Sequence, residues 1–336
     1  MGRPPHLEEE STIGPSTVLL MNPAALAGQL FTPAMLDELR TFVTLDETVV
    51  TELDQPGRRA LQDAEIVIGG WGAPRLSPAD APRLRSIVYL GGVAALCLEN
   101  VADWSDRGLT AANARSINAE PVAEYALAMI LLDGKDAFAS AAAQRADAAP
   151  APIAPAHFGN FRRTVGIVGL SQTARALIEL LRPFDLDIIV YSPELTPAMA
   201  DELGVGMRTL EEVMAESDIV SLHQPLTPAT RGQIDRRLLS LMRDGATLLN
   251  TARGGVVDQE ALVELLRTGR IRAVLDVTEP EPLAADHELR SLPNVVLTPH
   301  IAGSLGSELH RMGQNALDEV HRFVDGLPFR HPELLA

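Results

Sequence analysis

Three side chains towards the end of the sequence have the types needed to hold a carboxylate and move a proton beside it. Arg253 stands in NTARGGVVD, Glu281 in DVTEPEPL and His300 in LTPHIAGS. An arginine grips a carboxylate through two parallel hydrogen bonds. A histidine backed by a glutamate moves a proton near neutral pH. Together these are the parts needed to reduce a 2-keto acid or oxidise a 2-hydroxy acid. Each follows a short apolar run, ATLLNTA, AVLDVT or NVVLTPH, that reads as a buried strand. In an open α/β sheet, ligands bind outside the carboxyl ends of the strands. If the three strands are parallel neighbours, the three groups open onto one crevice.

The elements that must position them come from an alternation of apolar and amphipathic segments. TVLLMN from Thr17, EIVIGGW from Glu65 and SIVYLGG from Ser86 read as strands, and PAMLDELRTF as a helix. Such alternation argues for a doubly wound parallel sheet. A long helix is expected next, with Pro121 in its first turn and VAEYALAMILLDGKDAFASAAAQRA continuing it. The Pro/Ala-rich stretch Ala148–Ala156 ends that element. A second alternation runs from Thr164 through TVGIVGL, the helix ARALIELLRPF and DIIVYS to NVVLTPH. The stretch SELHRMGQNALDEVHRFVDG then has helical periodicity.

Within the second alternation, Gly169-Leu170-Ser171-Gln172-Thr173-Ala174 occupies the place of a G-x-G-x-x-G/A dinucleotide turn. Gly169 fits the tight turn, and Ala174 is an accepted third residue. Ser171 departs from the pattern, since its side chain enters the space of a diphosphate, although its hydroxyl can donate to a phosphate oxygen. Gln172 and Thr173 open a helix whose N-terminus offers free N–H groups. Ser192 stands at the strand end that reads the adenosine ribose.

Bulk properties narrow the classes. A length of 336 residues suggests about two domains, and 46% hydrophobic residues can fill two cores. A formal charge of −17 argues against a nucleic-acid partner, which needs clustered Lys and Arg. No apolar run reaches the roughly 18 residues of a membrane span. The one cysteine, Cys97, lies in an apolar run, which suits an inert buried thiol and a reducing, cytoplasmic compartment. The N-terminal residues 1–16 lack a signal-peptide core and read as a disordered tail. His6, His157, His223, His287, His310, His321 and His331 show no metal-ligand spacing, so no metal site is expected.

The three segments, in this order and spacing, resemble the D-isomer-specific 2-hydroxyacid dehydrogenase family. The resemblance extends to PVAEYALAMILL, VGIVGL, DIVSLHQPLTPATRGQID and LLSLMRDGATLLNTARGGVVDQEAL. It covers roughly residues 85–325 and is strongest from Asp218 to Ser304. It implies two doubly wound α/β domains: a Rossmann-type NAD-binding domain at 116–303, and a smaller flavodoxin-like substrate domain at 17–115 and 304–336. It also implies that the last helix packs back onto the first domain, that a cleft lies between the domains, and that the chain forms a homodimer.

The resemblance further implies site residues. Arg253 binds the substrate carboxylate and polarises the keto oxygen, His300 is the acid/base, and the catalytic carboxylate stands before the second Pro, which selects Glu281 over Glu279. Asp276 contacts the nicotinamide carboxamide. Thr251 and Ala252 lie against the ring. His223 and Pro225 flank the nicotinamide side, and Gly303 follows the catalytic histidine. Backbone N–H groups of a Gly-rich loop, here Gly91, Gly92 and Val93, bind the substrate carboxylate. Val93 and Ala94 depart from the commoner Val-Gly-x-Asp pattern, whose Asp is missing, and that leaves the substrate's identity open. Trp71 ends a strand on the same side and either closes the pocket over a larger substrate or belongs to the core.

NAD is expected over NADP, because no Lys or Arg lies within Pro193–Met199 to meet a 2′-phosphate and Glu194 would repel one. The substrate is expected to be a small 2-keto or 2-hydroxy acid. Two other readings remain: an NADH-sensing protein with a protein partner and little turnover, and a member that has lost its dinucleotide.

Overall fold

The structure is a computed structural model and describes residues 14–146 and 158–335. In chain order its strands are β1 (Ser16–Leu20), β2 (Thr44–Val50), β3 (Ile66–Gly69), β4 (Ser86–Tyr89), β5 (Thr110–Asn113), β6 (Arg163–Val168), β7 (Leu186–Tyr191), β8 (Gly206–Met207), β9 (Ile219–Leu222), β10 (Thr247–Asn250), β11 (Arg272–Leu275), β12 (Val295–Leu297) and β13 (Pro332–Glu333). Contacts divide the chain into two compact units, one of residues 1–118 with 305–336 and one of residues 119–304. The expected tail lies outside the described residues up to position 13. Ser16, which that tail included, already begins β1 and pairs with Thr44. The Pro/Ala-rich stretch also falls outside the described residues.

The first unit holds a six-stranded sheet in the order β13-β5-β4-β3-β1-β2, parallel except for β13 against β5. Leaving β13 aside, this is the flavodoxin-like order. Its central strands β1, β3 and β4 are buried on both faces. Leu19, Ile66 and Ile68 enter one core and Val18, Leu20 and Val67 the other, as the two-residue period requires. The helix Leu309–Val324 closes the first of these cores with Met312, Ala316 and Val320.

The second unit holds a seven-stranded sheet, β12-β11-β10-β9-β6-β7-β8, parallel throughout. From β8 the order reads 3-2-1-4-5-6 with one strand added, the Rossmann arrangement. Leu248, Ala273 and Leu275 face one core, and Leu249, Val274 and Val165 the other. The chain order reverses between β6 and β9, and the crevice for a ligand opens at such a switch point.

One expectation is corrected. Pro121 is not in the first turn of its helix but inside it, because the helix spans Arg115–Asp133. Asn113 Oδ1 accepts from Arg115 N and starts the helix six residues earlier. Nor does the helix run on. It stops at Gly134, where an added Cβ would collide with Asn160 Oδ1, and Asp136 turns into the left-handed region at φ 51° before a second helix at Ala137–Arg145.

Candidate active site

Arg253, Glu281 and His300 follow β10, β11 and β12, which are consecutive parallel neighbours. All three therefore leave the same edge of one sheet. His300 Nδ1 meets Glu281 Oε1 at 2.7 Å. Glu279, the rival acid, is engaged elsewhere: its carboxylate accepts from Arg231 Nη1 at 2.7 Å and its backbone bonds the Gln259 side chain. Both members of the His300–Glu281 pair are about half-exposed. An exposed pair contributes only about 0–1 kcal/mol to stability. With Nδ1 given to Glu281, Nε2 is the nitrogen left to meet a substrate. Arg253 is exposed, and its one recorded side-chain bond is Nη1 to the neighbouring Ala252 O. The glycines after it are required by space, since a Cβ on Gly254 would lie 2.1 Å from Thr278 C.

The His300 loop is anchored by Asp276, which is 2% exposed. Its Oδ1 accepts from Thr298 Oγ1 at 2.6 Å and Ile301 N at 2.8 Å, and its Oδ2 accepts from Ala302 N at 2.9 Å. Its backbone oxygen accepts from His300 N. His300 itself sits at φ 55°. A left-handed backbone at a non-glycine residue costs about 1–2 kcal/mol, and the Asp276 bonds hold it there. Thr298 spends its only proton on Asp276, so the Tyr125 hydroxyl donates to Thr298 Oγ1 at 2.7 Å. Burial, above all, raises the Tyr125 pKa and keeps it a donor. Neither Tyr125 nor Thr298 was singled out from the sequence, where a tyrosine in an apolar helix reads as core.

At the switch point, Gly169 adopts φ 91° and donates its N–H to Tyr191 O, and a Cβ there would lie 2.7 Å from Gln224 N. Ser171 is the N-cap of the helix Gln172–Leu181, and its Oγ accepts from Ala174 N at 3.3 Å. The Gln172 and Thr173 N–H groups have no protein acceptor among the described residues. Ser192 is buried, with Oγ accepting from Glu194 N at 3.4 Å. His223 is buried, its Nε2 paired with Ser221 Oγ at 2.8 Å, and burial pushes its pKa down to about 4. Burial thus favours its neutral form, and the exposed Pro225 follows two positions on.

Two buried polar side chains at this edge lack partners among the described residues. They are Gln224, with both amide atoms unsatisfied, and Thr251 Oγ1. A buried polar group without a partner costs about 1–3 kcal/mol, so these atoms suit a polar ligand laid across β9 and β10. Together with the free N–H pair and the close-packed Gly169, they fit a dinucleotide. Gln224 was missed in the sequence. The only signal was a long polar side chain two positions after the apolar strand IVSL. Ala252 and Gly303 are half-buried in the loops around this edge.

In the other unit, Gly91, Gly92 and Val93 follow β4, and Trp71 follows β3 and is exposed. A Cβ on Gly91 would lie 2.5 Å from the Tyr89 ring. Cys97, at the end of this loop, is buried, and burial with the nearby Glu333 charge pushes its thiol to about 12. No group of three or more His, Cys, Asp and Glu among the described residues is placed to hold a metal, and no helix there is long and apolar enough to cross a membrane.

Comparison with known proteins bears on this geometry. A family model described as the NAD binding domain of D-isomer specific 2-hydroxyacid dehydrogenases matches residues 127–302. The chain is 33% identical over 293 residues to a D-3-phosphoglycerate dehydrogenase of Mycobacterium leprae, covering 84% of this chain and 54% of that protein. It is 33% identical over 255 residues to a glyoxylate reductase of Thermococcus litoralis, covering 74% of this chain and 76% of that protein. A solved phosphoglycerate oxidoreductase of Rhizobium etli superposes with a TM-score of 0.79 at 28% identity, over 95% of this chain and 98% of that one. The chain thus spans about half the length of the phosphoglycerate dehydrogenases it matches.

Proposed function

The chain belongs to the D-isomer specific 2-hydroxyacid dehydrogenase family, and we propose that it transfers a hydride between NAD(H) and a D-2-hydroxy acid/2-keto acid pair. The observation that supports this reading is the 2.7 Å His300–Glu281 contact between the loops after β12 and β11, beside the loop after β10 that carries Arg253. Arg253 holds the substrate carboxylate and polarises the carbonyl oxygen, which fixes the reacting face. His300 delivers a proton from Nε2 to the oxygen as it becomes an alkoxide. Glu281 accepts from Nδ1 and keeps the ring turned that way. In the oxidative direction the same nitrogen removes the hydroxyl proton. The bound nicotinamide supplies or accepts the hydride.

The dinucleotide is held by Gly169 and the Gln172 and Thr173 N–H groups at the diphosphate, by Ser192 at the ribose, and by Thr251, Ala252 and Gln224 along the strand ends. Asp276 has three of its lone pairs committed to the His300 loop. A carboxylate accepts about four bonds, so one acceptor position remains for a carboxamide. The loop Gly91–Val93 and Trp71 bind substrate. Residues 119–304 form the cofactor domain and the remainder the substrate domain of a cytoplasmic homodimer.

The test is a panel of 2-keto acids assayed with NADH and with NADPH. Turnover with NADH preferred is expected. NADH binding without turnover on any acid would favour the sensor reading, and failure to bind either dinucleotide would reject both.

A further inference from the structure

The loop after β4 ends in a 3₁₀ turn, Ala94–Cys97, whose own N-cap, Val93, has no side chain able to accept a hydrogen bond. The acceptor comes from a residue 239 positions away. Glu333 Oε2 accepts from Ala94 N at 2.8 Å, and its Oε1 accepts from Ala95 N at 3.2 Å. Asn113 Nδ2 donates to the same Oε2 at 2.7 Å. A carboxylate on two successive backbone N–H groups makes charge-assisted bonds, stronger than neutral ones.

The arrangement is braced from behind. Glu319, fully buried in the helix Leu309–Val324, accepts from Arg330 N and His331 N. His331 O accepts from Asn113 N, and β13 pairs with β5. On the other side of the loop, Arg115 Nε donates to Gly92 O. The loop is therefore clamped at Gly92 O and again at Ala94 and Ala95. Between and beside these clamps, the N–H groups of Gly92 and Val93 have no acceptor among the described residues. Gly92 is exposed, and a Cβ there would meet nothing within 4 Å.

We infer that Glu333 is a positioning residue for substrate: it occupies the Ala94 and Ala95 donors and thereby sets the Gly92 and Val93 N–H groups as a ready seat for the carboxylate of a 2-keto acid. This rests on the proposed dehydrogenase activity and on the role given above to the Gly91–Val93 loop. Glu333 does not touch the reacting atoms. Its effect is to spare the substrate the cost of ordering the loop, which raises affinity without changing the chemistry.

The experiment compares the full chain with Glu333→Ala and Glu333→Gln. The readouts are steady-state kinetics on glyoxylate with NADH, NADH titration by fluorescence, and amide exchange of residues 91–96 by mass spectrometry. Glu333→Ala should raise KM for glyoxylate about tenfold, with kcat within about threefold and NADH affinity unchanged. Glu333→Gln, which retains one acceptor oxygen, should raise KM less. Amide exchange in 91–96 should speed up in Glu333→Ala and less so in Glu333→Gln. A variant that loses only thermal stability while KM and exchange stay at wild-type values overturns the inference. If wild type turns over no keto acid, the proposed activity fails on its own account, and the exchange data still decide whether Glu333 orders the loop.

Discussion

At the amino ends of β6, β10 and β11 the polar side chains are spent on one another, whereas at the carboxyl ends of β9 to β12 bonded side chains such as Asp276 stand beside others that face outward or, among the described residues, stay unpaired. Arg163, Thr247 and Arg272 begin their strands, and all three converge on Asp133. Arg163 and Asp133 are 4% and 5% exposed, and Arg272 also reaches Asp136. Among the described residues, only the two Nε atoms in this group lack partners. At the other edge, His300 and Glu281 are exposed, and among the described residues the Arg253 side chain bonds only its neighbour's carbonyl oxygen while Gln224 and Thr251 are buried without partners. One sheet thus carries a saturated end that serves stability and an unsaturated end that serves a ligand. Mutations should separate the two.

The largest effect is expected at the open end. His300→Gln should lower kcat by roughly 10²–10⁴-fold, the usual worth of a general acid, while NADH binding and unfolding free energy stay near wild type. A loss below about tenfold would remove His300 from the chemistry. At the closed end, Asp133→Ala takes the carboxylate from the buried Arg163 guanidinium, while Arg272 keeps Asp136. Breaking a buried pair on one side costs about 3–5 kcal/mol, so urea unfolding should shift by that amount while kcat/KM of the folded fraction is unchanged. An active-site defect without a stability loss would dissolve the distinction between the ends.

His223 sharpens the comparison, because it lies at the open end yet is bonded like a closed-end residue. Its pKa is about 4 when folded against 6.5 unperturbed. As pH falls, the unfolded chain takes up the proton first. The contribution is therefore fully present above pH 6.5 and is lost between 6.5 and 4, by about 3 kcal/mol in all. His223→Gln should flatten that part of the stability–pH curve; an unchanged slope would show that the imidazole is not what titrates. The smallest effect is expected from Tyr125→Phe, which removes one bond to Thr298 and leaves the Asp276 anchor intact. A net hydrogen bond contributes about 0.5–1.5 kcal/mol, so kcat should fall by less than about tenfold with NADH affinity retained. A loss as large as that of His300→Gln would place Tyr125 in the proton path itself.

Much of this was legible in the sequence for a simple reason. Parallel strands buried on both faces read as unbroken apolar runs, and IVSL, TLLN and AVL stand out as such. The residues after them are forced to one edge, which is why Arg253, Glu281 and His300 could be set together. The illegible parts depend on distant partners. Pro121 satisfies the rule for a first turn, but Asn113 starts the helix upstream. The helix ends at Gly134 against Asn160, 26 residues later, which donates to the helix carbonyl of Leu131. Ser171 was read only against a phosphate, and its oxygen's bond to Ala174 N at the start of its own helix was not foreseen. Asp276 is one acid among 45 acidic residues; only the fold shows three donors converging on it.

The split make-up of the first unit also governs the order in which the protein comes into being. On the ribosome, residues 1–118 emerge first, but their sheet still lacks β13 on the β5 edge, and the core around Leu30 and Phe31 lacks Met312, Ala316 and Val320. Residues 119–304 form an unbroken segment that brings all seven of its strands with it. Domains generally fold as units, the earlier-synthesised first. Here the later-made unit can be complete while the earlier one waits, its apolar face uncovered and its strand edge open, for a helix that starts about 190 codons after residue 118 and a two-residue strand translated after that.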